Sequence, residues 1–243
     1  MNGMIFAAGL GTRLAPLTDT RPKALVELCG RPLLARALDH MTAAGVDHIV
    51  VNVHHFADQI IDFIGSNRGQ WQAEIVISDE RDLLLDTGGG LIKALPLMAD
   101  DGPVVIGNAD VATDAPIAEL IGTHRHKSWD ATLLTSPRTS TRHLLFAADD
   151  LLCGWEDVKN NKSRAARNSP PRWREAFNGL HVVEQRLVRA FGEARPLPII
   201  GAYLDHAADF AIGRCQIPAD RYWFDVGTVE KLAAAETALR GKI

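Results

Sequence analysis

The chain has 243 residues, enough for one large α/β domain with a full core. Hydrophobic residues make up 47% and charged residues 23%, and the net charge of −4 argues against a nucleic-acid-coating protein, which usually carries a basic face. No apolar run approaches the ~18–20 residues of a membrane span, no secretory signal opens the chain, and Cys29, Cys153 and Cys215 form neither a zinc pattern nor a disulfide framework, so the expected compartment is the cytoplasm.

Taken in chain order, Gly3–Ala8 reads as a buried strand ending in a glycine loop, Gly9-Leu10-Gly11-Thr12-Arg13. Glycines after a strand let the backbone approach a ligand, and consecutive N–H groups there can cradle phosphate oxygens. Arg13 and Lys23 add two positive charges, and Pro22 fixes the backbone before Lys23. A dinucleotide fingerprint is excluded because Leu14 stands at its third glycine, and no G-x-x-x-x-G-K-[ST] run exists. The alternative is a tight strand–helix turn with an incidental Arg and Lys.

Further strands are predicted at His48–Val53, Glu74–Ser78, Pro103–Gly107, Ala131–Thr135 and Leu180–Val183. Helices are predicted at Pro32–Ala44, Ala57–Gly65, Gly90–Met98, Ile117–His126, Ala207–Gly213 and Val229–Arg240. In the first of these, Leu33, Leu34, Ala37, Leu38 and Met41 recur at helical spacing and give one buried face. Alternating elements imply a largely parallel sheet covered on both sides. Ligands in such sheets bind beyond the carboxyl ends of the strands. The glycine loop and Asn108-Ala109-Asp110 both fall there, so they are expected to meet in one crevice. The segment 159–174 contains six Lys or Arg, no acid, and Pro170-Pro171. It is expected to be a mobile solvated loop, the alternative being a lid over an anionic ligand. His54-His55 and His124-x-His126 lack a third ligand of matching spacing and read as surface or satisfied histidines.

The glycine loop extends to G-x-G-x-R-x-x-P-L-T followed by P-K, and this resembles the signature of the sugar nucleotidyltransferases, the nucleoside-diphosphate-sugar pyrophosphorylases. Three later segments agree with it: Asn108-Ala109-Asp110, Asp86-Thr87-Gly88-Gly89-Gly90, and Trp223-Phe224-Asp225-Val226-Gly227-Thr228. The resemblance is strongest to the short, single-domain branch that includes the N-acetylmuramate 1-phosphate uridylyltransferases, through P-K-A-L-V, A-A-G-V, D-T-G-G-G-L and F-D-V-G-T-V-E-K-L. The stretch from Arg138 to Arg174 departs from that branch.

The resemblance implies a Rossmann-like α/β fold with a largely parallel mixed sheet flanked by helices, as a single domain over 1–243. It implies transfer of a nucleotide from a nucleoside triphosphate, UTP first, to a sugar 1-phosphate such as N-acetylmuramate 1-phosphate or a related hexose 1-phosphate. A guanylyltransferase for mannose or heptose 1-phosphate and a metal-dependent glycosyltransferase are the alternatives. Arg13 and Lys23 are then the catalytic cations. Ala7, Ala8, Gly9, Gly11, Thr12, Thr87, Gly88 and Asn108 would bind the nucleotide, although close packing is the alternative for the triple glycine. Asp110 and Asp225 would hold Mg²⁺, although either could merely occupy a turn or strand end. Asn178, Gly179, Glu156 and Lys159 would touch the sugar. Neither nucleic acid nor membrane is an implied partner, and the oligomeric state stays open.

Overall fold

The computed structural model describes residues 1–241. It opens with β1 (Asn2–Phe6), β2 (Glu27–Leu28), β3 (Arg31–Pro32) and α1 (Leu33–Ala43). Next come β4 (His48–Val53), α2 (Ala57–Ser66), β5 (Glu74–Asp79), α3 (Asp86–Ala94) and β6 (Val104–Asn108). The middle of the chain holds β7 (Val111–Thr113), α4 (Ile117–Lys127), β8 (Ala131–Ser136), β9 (Arg142–Phe146), β10 (Leu152–Asp157), β11 (Lys162–Ala165) and β12 (Trp173–Val183). It closes with α5 (Gln185–Ala190), α6 (Ile199–His206), β13 (Ile212–Gln216), β14 (Trp223–Asp225) and α7 (Val229–Leu239).

The main sheet runs β11-β10-β9-β12-β6-β1-β4-β5, with β8 joining β12 and β13 joining β8. Strands β6, β1, β4 and β5 are parallel, because helices connect them across the sheet. β12 pairs antiparallel with β6, β8 and β9, and β10 antiparallel with β9 and β11, whereas β13 is parallel to β8. The sheet is therefore mixed, its parallel half lying where the glycine loop begins.

Strand alternation sorts the core onto the two faces of this sheet. Ile5, Ile49, Val51 and Val53 face α1, α2 and α4, meeting Leu34, Leu38, Ile60 and Leu120. Met4, Val50, Val104 and Ile106 face α3, α5 and α6, meeting Leu91, Leu187, Ile199 and Tyr203. Full burial of each such side chain contributes about 1.5–3 kcal/mol. A third apolar cluster lies apart: Val226, Leu232, Ala235 and Leu239 pack α7 against Val26, Leu28 and Ala112.

Several expectations are corrected. The helix expected at Ala207–Gly213 lies instead at Ile199–His206, and part of the expected range is strand β13. Pro198 takes the N-cap position and starts the helix earlier, burying Ile199, Ala202, Tyr203 and Leu204. The helix expected at Gly90 begins at Asp86, so the three glycines are helical. The segment 159–174 is not loop throughout: β11 pairs with β10 over Lys162–Ala165, and β12 begins at Trp173. All four β11 residues are exposed, so no apolar alternation marks the strand.

His181 sits within β12, opposite Ile106 and Leu133, and is 1% exposed. Its ring lies between those of Phe177 and Tyr203, and neither nitrogen has a hydrogen-bond partner of ordinary geometry among the described residues. Burial pushes its pKa down to about 3, with the Gly179 backbone pulling weakly the other way. Between that value and the ordinary ~6.5 the unfolded chain binds the proton and the folded one does not. Stability is therefore fully present above pH ~6.5 and falls as pH drops below it, by up to about 1.4 kcal/mol per unit from this group. His181→Phe is expected to flatten that slope in urea titrations between pH 6 and 4; an unchanged slope would assign the acid sensitivity elsewhere.

Candidate functional site

A cleft of about 610 Å³ opens beyond the carboxyl ends of β1, β4 and β6. Its walls include Ala7, Ala8, Gly9, Gly11, Thr12, Arg13, Lys23, Asn52, Asp86, Thr87, Asn108, Asp110 and Gly227. The glycine loop and the Asn108–Asp110 segment thus share one crevice, and the Ala109 N–H extends the β1–β6 pairing by donating to the Phe6 carbonyl at 3.1 Å.

The loop is shaped by Gly11, whose φ is +68°. A Cβ there would lie 3.0 Å from Lys23 Cβ and 3.0 Å from Thr18, so both conformation and crowding call for glycine. The Gly11 carbonyl accepts from Leu14 N at 2.8 Å and Thr18 Oγ1 at 2.9 Å, which closes the turn. Arg13 emerges from it exposed, with no ion pair among the described residues. Lys23 is 11% exposed and forms an ion pair with Asp110.

Asp110 and Asp225 are delivered by a separate two-stranded ribbon, β7–β14. Asp225 is in register with Val111, and Val226 N donates to the Asp110 carbonyl at 3.0 Å, so the two aspartates sit diagonally on neighbouring strands. Asp225 is half-buried; it accepts from Gly227 N at 3.0 Å and pairs with Lys231 from the first turn of α7. Burial pushes its carboxyl up, but the Lys231 contact and the charges of Lys231 and Lys23 outweigh this and leave it below the ordinary value. Thr228 caps α7, its Oγ1 accepting from Lys231 N at 3.3 Å. Gly227 is the meeting point. A Cβ there would lie 2.8 Å from Asp225 Oδ1, 3.2 Å from Arg13 Nη2 and 3.4 Å from Lys23 Nζ. Among the described residues no group of three or more His, Cys, Asp or Glu gathers as a metal site, so any ion here rests on this carboxylate pair plus non-protein oxygens.

Not every expected residue lines the cleft. Gly88 is buried, gives its N–H to the Leu197 carbonyl at 2.7 Å, and has no space for a Cβ, which would stand 2.8 Å from that oxygen. Gly88 is thus closely packed and is not part of the cleft wall. Gly89 and Gly90 are likewise crowded, by the Arg195 carbonyl and by Glu80. Thr87 does face the cleft, its Oγ1 also accepting from Ile199 N at 3.1 Å.

The four expected sugar residues lie outside the cleft wall. Asn178 is fully buried, its Oδ1 accepting from Ser136 Oγ at 3.1 Å. Gly179 has φ +80° at the β12 irregularity, and its missing Cβ leaves room for Asn108 Nδ2. Glu156 is half-buried and paired with Arg174, with His143 Nδ1 at 3.5 Å. Lys159 is exposed on the β10–β11 turn.

Residues without a sequence signal complete the site. Asn52 Oδ1 accepts from Ala7 N at 2.8 Å, while its Nδ2 donates to the fully buried Glu80 at 2.8 Å. Glu80 also accepts from Leu85 N at 3.1 Å, so one buried chain of bonds ties the glycine loop to the start of α3. Arg138, stacked on Trp223, is another, whereas Lys231, which pairs with Asp225, is the lysine of F-D-V-G-T-V-E-K-L. Of the four histidines singled out, His124 bonds Thr132 and Glu184, His54 bonds the Glu80 carbonyl at 2.7 Å, and His55 and His126 are exposed.

A family model described as nucleotidyl transferase matches residues 2–146. An N-acetylmuramate alpha-1-phosphate uridylyltransferase of Caulobacter vibrioides is 33% identical over 252 aligned residues, covering 97% of this chain and 96% of that one. A mannose-1-phosphate guanyltransferase of Hypocrea jecorina is 35% identical over 137 residues, covering 56% of this chain and 37% of that longer one. Among solved structures, HddC of Yersinia pseudotuberculosis matches with a TM-score of 0.79 over 98% of this chain and 99% of that chain, at 17% identity. That last likeness bears on the fold alone.

Proposed function

Since the chain belongs to the nucleotidyl transferase family, we propose that it joins a sugar 1-phosphate to a nucleoside triphosphate, releasing pyrophosphate, as a single cytoplasmic domain. UTP and N-acetylmuramate 1-phosphate, or a related hexose 1-phosphate, are the substrates this reading favours, because the relative that aligns along nearly its whole length is named for them. The observation that carries the reading is the convergence of Arg13, Lys23 and Asp225 around Gly227, with Asp110 paired to Lys23, at the edge of the glycine-loop cleft.

The chemistry follows from charge. Two polyanions must meet, and unit charges ~4 Å apart interact by about 4 kcal/mol at an effective dielectric near 20. Ala8, Gly9, Gly11 and Thr12 offer a backbone cradle for phosphate oxygens, and Thr87 and Asn108 flank the space left for the nucleoside. Arg13 balances charge on the departing β- and γ-phosphates. Lys23 holds the α-phosphate side. A sugar-phosphate oxygen forms the new bond to the α-phosphorus while the α–β bridging P–O bond breaks, its electron pair leaving with pyrophosphate. No general base is needed, because the nucleophile is already an anionic oxygen. Catalysis is positioning plus charge stabilisation.

Asp110 and Asp225 suit Mg²⁺, a hard ion held by one or two carboxylates with phosphate oxygens and water completing the shell. Held by this pair, it would supply positive charge to the phosphates of a bound nucleotide. Each of the two aspartates already faces a lysine, Asp110 facing Lys23 and Asp225 facing Lys231.

Crossing UTP, GTP, CTP and dTTP with several sugar 1-phosphates, read by pyrophosphate release, tests the reading. UTP is expected to give the highest kcat/KM. A tenfold preference for GTP would move the assignment to a guanylyltransferase. Sugar transfer without pyrophosphate release would replace it with a glycosyltransferase.

A further inference from the structure

Arg138 lies half-buried in the loop between β8 and β9. Its guanidinium stacks over the Trp223 ring, 3.9 Å from the centroid. Nε donates to Asn178 Oδ1 at 3.3 Å, and Nη2 donates to the Phe177 carbonyl at 2.9 Å. Trp223 is fixed in turn, its Nε1 donating to the Asn178 carbonyl at 2.8 Å. These contacts hold one face and one edge of the guanidinium. Nη1 has no partner among the described residues, and no carboxylate there forms an ion pair with the group.

A cation drawn out of water without a counter-charge is costly. Burial pushes the Arg138 pKa below its ordinary value, opposed by the charge of Asp225. An arginine left unused would extend its head into solvent. This one is held by an aromatic face and an amide, with donors to spare. Beside it the buried Asn178 Nδ2 also lacks a partner. A fixed fork with unspent N–H groups is suited to two oxygens of one anion.

Position narrows the anion. Trp223 and Asp225 are alternate residues of β14 and share a face. Arg13 approaches Gly227 from the glycine loop and Lys23 from the turn after Pro22, whereas Arg138 comes from the β8–β9 loop and stacks on Trp223, two residues before Asp225. The nucleotide cations and Arg138 thus meet the Trp223–Gly227 segment from different elements. Lys159, expected to touch the sugar, is exposed on the β10–β11 turn, whose Val158 N–H donates to the Thr141 carbonyl of the β8–β9 loop at 2.8 Å.

We propose that Arg138, stacked on Trp223, is the substrate-binding residue that grips the anionic group of the acceptor sugar; this rests on the nucleotidyltransferase reading above. Two groups share that chemistry: the 1-phosphate, and a carboxylate carried on the sugar.

The test is steady-state kinetics of Arg138→Ala and Arg138→Lys by pyrophosphate release. Two acceptors are compared, a hexose 1-phosphate without a carboxylate and N-acetylmuramate 1-phosphate. Arg138→Ala is expected to raise the sugar KM by about 10–100-fold, the range for a charged hydrogen bond lost, with the UTP KM within twofold of wild type. Arg138→Lys should fall between, and added guanidinium ion should restore part of the loss in Arg138→Ala. An equal rise for both acceptors assigns the phosphate; a rise confined to N-acetylmuramate 1-phosphate assigns the carboxylate. A sugar KM within twofold of wild type, or a UTP KM that rises in step with it, overturns the assignment. If Arg138→Ala does not fold, Arg138→Lys is judged by the same two criteria. A wild-type enzyme silent on every nucleotide–sugar pair would overturn the reaction itself, which the Arg138 results alone cannot do.

Discussion

Asp225→Asn is expected to lower turnover by more than the ~10–100-fold that losing an outer-shell partner of a metal typically costs. The substitution keeps the shape of the side chain and an oxygen for the Gly227 N–H, which donates to Asp225 at 3.0 Å. What it removes is a negative charge that faces Lys231 and Lys23. Asp110→Asn should act alike, since Asp110 is the partner of Lys23. Both variants should fold: the two residues sit on the β7–β14 ribbon, outside the main sheet and its two apolar faces. Excess Mg²⁺ or Mn²⁺ should recover part of the loss if the carboxylates hold an ion. Turnover of Asp225→Asn within threefold of wild type would remove this carboxylate from the reaction.

Arg13→Ala should reduce turnover by ~10²–10³, the usual consequence of deleting one donor that stabilises developing charge. The side chain is exposed and makes no ion pair among the described residues, so its loss should barely move the melting temperature. The effect should fall on kcat more than on nucleotide KM, because charge on the leaving pyrophosphate grows only as the bond breaks. A kcat within threefold of wild type, in a protein that melts normally, would show that Arg13 does not meet the leaving group.

The two ends of the site were readable from sequence for a physical reason. Gly11 must adopt a positive φ under Lys23 and Thr18, and only a few residue choices satisfy such a turn. The run Trp223–Thr228 has to form a strand, place an aspartate and cap a helix within six positions, which leaves a dense pattern. The parallel strands were legible because both of their faces are covered and they read as continuous apolar runs.

Elsewhere the determinants were tertiary. The triple glycine is expected from sequence to touch the nucleotide, with close packing as the alternative; in the fold it lies in α3, where the Arg195 and Leu197 carbonyls and Glu80 occupy the space of three Cβ atoms. Strand β11 carries four exposed side chains and so shows no alternation. Asn52 and Glu80 each sit at the end of an apolar strand with nothing to announce that they bond one another. Arg138 acquires meaning only from an aromatic ring contributed by β14, much later in the chain.

The ribbon that carries the aspartates has a consequence for synthesis. Chains emerge from the ribosome N-terminal end first, and early segments fold as they appear. The last strand of the main sheet, β13, ends at Gln216, whereas β14 follows it. A nascent chain that has just released β13 can therefore possess its whole scaffold and its glycine loop while Asp110 still waits for its neighbour. On the reading above, such a chain could hold nucleotide loosely but not spend it. On that reading the carboxylate pair is complete only where Trp223–Asp225 pairs with β7 and α7 covers the ribbon with Leu232, Ala235 and Leu239.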